Sequence, residues 1–140
     1  MVYSFAVDID GVLADYSDGW NGPEHFGIVI EGAREFLKNL CDLAHSIPVV
    51  GGAEILIYST RGSASFNEEY SPLQLKTYIQ NWLEENELYY DDIYVGVGKP
   101  PAMFYFDDRA VMVRPMENPK AFEEATKFAT EEVAKFISGK

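Results

Sequence analysis

Apolar positions along the chain follow two rhythms. Val2-Tyr3-Ser4-Phe5-Ala6-Val7, Ile55-Leu56-Ile57-Tyr58, Ile93-Tyr94-Val95-Gly96-Val97 and Met103-Phe104-Tyr105-Phe106 are short, dense runs that end on polar or turn residues. That is the pattern of buried strands. Val111-Met112-Val113 predicts a short fifth strand. Elsewhere the spacing lengthens. Ala33, Phe36, Leu37, Leu40, Cys41 and Ala44 line one face of an amphipathic helix, which Pro48 and Gly51-Gly52 bring to an end. Ser71-Pro72-Leu73-Gln74 supplies an N-cap, a proline at the first helical position and a Gln three residues after the cap. The helix it opens buries Leu75, Tyr78, Ile79, Trp82 and Leu83 and frays through Glu84-Glu85-Asn86-Glu87. Asn118-Pro119 caps a last helix that turns Phe122, Ala125, Ala129, Val133 and Phe136 inward.

Strands that alternate with helices predict βαβ crossovers: an α/β fold with a mostly parallel sheet and helices on both faces. The length of 140 residues fits one domain, 1–140. Within it, residues 15–31 break both rhythms: Gly19, Gly22, Pro23 and Gly27 among polar and aromatic residues read as a folded loop, a flap rather than a helix. In parallel sheets ligands bind beyond the carboxyl ends of the strands. Those ends carry Asp8-Ile9-Asp10-Gly11, Ser59-Thr60-Arg61, Lys99 and Asp107-Asp108.

Charge narrows the partners. Eleven basic residues against 23 acidic ones leave a formal net charge of −12. Such a field repels phosphate backbones and anionic lipid, which argues against nucleic acid and against membrane surfaces. A small phosphorylated substrate fits only where a cation or a local positive group reverses the field. No run approaches the roughly 18 apolar residues of a membrane span, and the N-terminal run lacks a signal peptide's basic start. A single cysteine, Cys41, allows neither an intrachain disulfide nor a cysteine zinc cage. The expectation is a cytoplasmic protein.

The strand-end residues suit phosphoryl chemistry. Asp8, Asp10, Asp107 and Asp108 converge if the first and fourth strands are neighbours, and carboxylates that close raise one another's pKa. A hard divalent cation relieves the conflict, and an all-oxygen set favours Mg²⁺. Asp8 suits a nucleophile; Asp10 suits a general acid that later deprotonates water. Gly11 lets the backbone approach a phosphate and present its N–H groups. Ser59, with Thr60 as the neighbouring hydroxyl, can bond a phosphoryl oxygen, and Lys99 adds a point charge. Arg61 either clamps substrate or pairs with an acidic neighbour. Taken singly, an Asp at a strand end is ordinary turn chemistry; two acidic pairs ending apolar strands are not.

In this order the residues resemble the four motifs of the haloacid dehalogenase superfamily of phosphohydrolases. Asp8–Leu13 looks like the first motif, Ser59 the second, Lys99 the third and Asp107-Asp108 the fourth, over residues 8–108. The local sequences, including Lys99-Pro100-Pro101-Ala102, look like its small, capless bacterial and phage members. The resemblance implies a Rossmann-like three-layer α/β/α sandwich with a minimal cap. It implies Mg²⁺ held by Asp8, the backbone carbonyl of Asp10 and the acidic pair. It also implies hydrolysis of a phosphomonoester through an aspartyl-phosphate. Asp10, absent from the dehalogenase branch, points to phosphoryl transfer.

Two other classes compete. A receiver-like phospho-accepting module uses the same residue types, but there the acidic pair opens the chain, whereas Lys99 here precedes Asp107-Asp108. An idle scaffold that keeps the fold has no use for four mutually repelling carboxylates. In the flap, Trp20 and His25 are possible leaving-group contacts, although a long loop also needs an anchor such as Trp20. Cys41 belongs to the core stripe, and His45 faces solvent at the helix C-terminus.

Overall fold

Tyr3–Val7 forms strand β1, one of the two inner strands of the sheet, with all but Tyr3 buried. The computed structural model describes residues 3–48, 50–63, 67–96 and 98–139. β2 (Ala53–Tyr58), β3 (Asp92–Tyr94) and β4 (Phe104–Phe106) join β1 in the order β3-β2-β1-β4, and every pairing is parallel. Helix α1 (Ala33–His45) connects β1 to β2, and α2 (Pro72–Glu85) connects β2 to β3. The expected α/β, Rossmann-like arrangement is therefore present: an all-parallel sheet flanked by helices.

Both crossovers step the same way along the sheet, and right-handed connections put their helices on the same face. The core has that composition. Phe5, Val7, Ile55, Ile57 and Ile93 share one apolar cluster with Leu37 and Leu40 of α1 and Ile79, Trp82 and Leu83 of α2. Leu37, Ile79 and Leu83 have no exposed surface. Burying each contributes roughly 1.5–3 kcal/mol, more than a cap or intrinsic propensity supplies. The other face of the sheet presents Ser4, Ala6, Leu56 and Tyr58, also buried.

Local chemistry sets the helix starts. Ser71 and Gln74 complete the expected reciprocal capping box of α2, with Pro72 at its first position. α1 begins instead on Gly32, whose φ of 91° favours glycine.

The chain divides into two compact units, Met1–Asp108 and Arg109–Lys140. The second carries α3 (Ala121–Ile137). Asn118 starts it from a turn earlier, its side chain accepting from the Lys120 N–H and its carbonyl from that of Ala121. Two expectations are corrected in this unit. Residues 111–113 form no strand. Phe122, Val133 and Phe136 are exposed, and Ala121 is the one buried residue of the helix. One helix and one extended segment provide no second layer to enclose an apolar stripe.

Candidate functional site

The strand register places the acidic residues. Val7 pairs with Ile57 on one side and Phe106 on the other. One step further, Asp8 stands between Tyr58 and Asp107, and its N–H donates to the Phe106 carbonyl at 3.0 Å. Oxygen atoms of Asp8, Asp107 and Asp108 lie within 4.8 Å of one another. Burial pushes the Asp8 carboxyl up to about 7, the charges of Asp107, Asp10 and Asp108 add to the shift, and a bond from the Ile9 N–H at 2.8 Å opposes it.

Asp10 does not join them. Both of its oxygens are held by Arg61, Nε to Oδ2 at 2.7 Å and Nη2 to Oδ1 at 2.8 Å. The expected convergence of four carboxylates is thus corrected to three, and the Asp10 side chain is not placed as a metal ligand. The cause is the turn that follows. The Ile9 carbonyl accepts from the N–H groups of Val12, Leu13 and Ala14, and Gly11 donates to Ala14 at 2.9 Å.

That turn also occupies the N–H groups expected to cradle a phosphate. What Gly11 contributes is space. At φ 85° it lies so close beneath Asp108 that a Cβ there would meet Oδ2 at 2.3 Å. The missing side chain lets Asp108 sit where it does.

Arg61 is the most buried charged residue described, at 2% exposure. Besides Asp10 it donates through Nη1 to the carbonyls of Gly22 at 3.1 Å and Pro23 at 3.4 Å. Its guanidinium lies 4.1 Å from the Phe26 ring centre and 5.0 Å from that of Trp20. Of the two readings of Arg61, the pairing with an acidic neighbour is the one found. Trp20 covers this arginine, which ties the flap to the turn after β1 beside the backbone bond from the Ile30 N–H to the Leu13 carbonyl at 2.8 Å. His25 stays exposed beside Glu24. Beneath the flap is a cavity of about 320 Å³ lined by Asp15, Tyr16, Asp18, His25 and Arg61 among others.

Ser59 follows β2 in extended conformation and caps a short 3₁₀ turn, Thr60–Gly62, by accepting the Arg61 N–H at 3.2 Å. The Thr60 side chain is exposed and makes no comparable bond among the described residues. Lys99 is exposed, with Nζ 4.6 Å over the Tyr105 ring. No ion pair within 4.0 Å joins it to the acidic cluster among the described residues. Cys41 is half-buried rather than core, 3.8 Å from His45 Nδ1.

Three residues contribute that motif reading passed over. Asn67, buried, donates from Nδ2 to the carbonyls of Thr60, Arg61 and Ser63 and so fixes the loop behind Arg61. Tyr58 donates to Asp107 Oδ2 at 2.7 Å, and burial followed by that bond holds its phenol protonated far above the usual range. Tyr105 packs edge-on against Tyr58 at 6.0 Å. The even parity of Tyr58 within β2 was the available signal, since it puts the ring on the face away from α1 and α2.

The donor set fits a hard cation. Among the described residues three carboxylate oxygens converge with no histidine or cysteine in the group, and burial raises the carboxyl of Asp8 to about 7. Beside them a cleft of about 580 Å³ runs past Gly11, Gly32, Phe36 and Tyr105.

No family model and no curated protein matches the chain. A crystal structure of a structural-genomics target from Vibrio cholerae is similar at 26% identity, over 94% of this chain and 99% of that one, with a TM-score of 0.49. Among the described residues no helix is long and apolar enough to cross a membrane.

Proposed function

We propose that the chain is a Mg²⁺-dependent phosphohydrolase acting on a small phosphomonoester through an aspartyl-phosphate on Asp8. The observation that carries the reading is the convergence of Asp8, Asp107 and Asp108 oxygens at the carboxyl edge of a parallel sheet. Asp8, Asp107 and Asp108 would hold the cation, which when bound offsets their mutual repulsion and draws charge from the phosphoryl oxygens.

An Asp8 oxygen attacks phosphorus as the bond to the leaving oxygen breaks. Asp10 gives that oxygen its proton, then accepts one from the water that cleaves the acyl phosphate and releases inorganic phosphate. Arg61 takes one lone pair on each Asp10 oxygen, so the proton that Asp10 carries sits on a remaining one. Ser59 accepts from Arg61 through its oxygen, which leaves its own O–H to donate to a phosphoryl oxygen. Lys99 reaches a bound phosphate by leaving the face of Tyr105.

Hydrolysis of an aryl phosphate by the purified chain tests the reading. Turnover is expected with Mg²⁺ and not with chelator, and Asp8→Asn abolishes it. Borohydride reduction of the enzyme quenched during turnover should convert Asp8, trapped as its acyl phosphate, to homoserine in the peptide that bears it. Full activity in Asp8→Asn, or no reducible adduct on Asp8 during turnover, overturns it. Stable labelling by acetyl phosphate without turnover would replace it with the receiver-like reading.

A further inference from the structure

Tyr58 and Tyr105 touch across a strand to which neither belongs. β1 lies between β2 and β4, and two steps of the sheet amount to roughly 9–10 Å. The rings nonetheless approach to 6.0 Å at 79°. On this face β1 offers Ala6, aligned with Leu56 and Tyr105 and wholly buried, so a methyl group is all that separates the flanking strands there. A larger residue would fill the space the rings use.

A buried phenol needs a partner, or its hydroxyl costs more than a phenylalanine in the same place. Tyr58 is 8% exposed, and its hydroxyl has crossed β1 to Asp107. Tyr105 is fastened in turn by its own hydroxyl, which donates to the Pro100 carbonyl at 2.6 Å, and its ring carries Lys99. The aromatic pair thus touches Asp107 on one side and Lys99 on the other. A carboxylate that holds a short hydrogen bond to a rigid ring has lost most of its rotational freedom.

We infer that Tyr58, braced by Tyr105, is a positioning residue that fixes the Asp107 carboxylate as a preformed oxygen ligand beside Asp8. The inference rests on the reading of this cluster as a divalent-cation site. It assigns the two members of the acidic pair different parts: Asp107 is set in place by a side chain, and Asp108 by the space above Gly11. Groups that orient metal ligands typically influence affinity 10- to 100-fold.

Calorimetric titration of the full chain with Mg²⁺, without any substrate, provides the test. Tyr58→Phe keeps the ring and is expected to weaken binding about 10- to 100-fold. In an Asp107→Asn background the same change should cost nothing further, because the hydroxyl acts through that carboxylate. Wild-type affinity in Tyr58→Phe, even with a lowered melting temperature, makes Tyr58 structural only and overturns the inference while the cation site stands. If the unaltered chain binds no divalent cation, the site reading fails and takes the inference with it. Should Tyr58→Phe not fold, Tyr105→Leu removes the brace alone: weaker Mg²⁺ binding supports the inference, and unchanged binding defeats it.

Discussion

Arg61 and Asp10 form a bidentate ion pair, Nε–Oδ2 2.7 Å and Nη2–Oδ1 2.8 Å, with side chains only 2% and 13% exposed. The pair joins the turn after β1, the turn after β2 and the flap in one contact. Removing one partner of such a pair strands a buried charge, at a cost of about 3–5 kcal/mol. Arg61→Ala should therefore lower stability by that order in urea denaturation. It should also open residues 15–31 to limited proteolysis, since the Gly22 and Pro23 carbonyls lose their donor. Arg61→Lys keeps the charge but not the fork, and is expected to fall between the two. A flap as resistant in Arg61→Ala as in the unaltered chain would show that it is held by something else.

The Asp8 carboxyl titrates near 7 in the folded chain against 3.8 as a free side chain. Between those values the folded state keeps a proton that the unfolded state has lost. Stability of the cation-free protein should thus fall as pH rises from about 4 to about 7 and level off above that, by an order of 2–4 kcal/mol from this group. Denaturation in chelator at pH 5 and pH 8, for the unaltered chain and Asp8→Asn, isolates the contribution. Asp8→Asn should flatten the slope and be the more stable protein at pH 8. Mg²⁺ at 100 times its dissociation constant should return about 2.7 kcal/mol to the unaltered chain.

Gly11 combines a φ of 85° with the close approach of Asp108. Gly11→Ala is expected to cost about 1–3 kcal/mol in backbone strain and to displace Asp108, weakening Mg²⁺ binding measured by titration. An alanine variant with both properties intact would mean that the Asp108 side chain swings aside at no cost.

Asn67 donates one amide group to three carbonyls of the loop behind Arg61. Asn67→Ala leaves those acceptors unpaired, worth about 1–3 kcal/mol. Asn67→Asp, which turns a carboxylate toward three carbonyl oxygens, should be the more damaging of the two. Melting curves of both variants at neutral pH would check the order.

Much of this architecture is legible in the residues because local chemistry and burial agree. Ser71-Pro72-Leu73-Gln74 forms its capping box wherever that helix packs, and the apolar runs that end on Asp8 and Asp107 become neighbouring strands. Asp10 is different. Its distance from Asp8 in sequence suggests a shared destination, but the Ile9–Ala14 turn sends it to an arginine 51 residues away, and spacing contains no trace of that partner. The α3 stripe misleads for another reason: periodicity shows that a helix has an apolar face, not that anything encloses it. Tyr58 was visible as a strand residue, while its reach to Asp107 depends on Ala6 being small in the strand between.

β4 has three residues and a single neighbour, β1. Asp107 and Asp108 follow directly on a short edge strand of the sheet, opposite an Asp8 that follows an inner one. Whatever bridges those oxygens would also act as a clasp between rim and centre. Amide exchange along 104–106 should accordingly slow on adding a divalent ion, far more than along 53–58, where two flanking strands already hold the backbone closed.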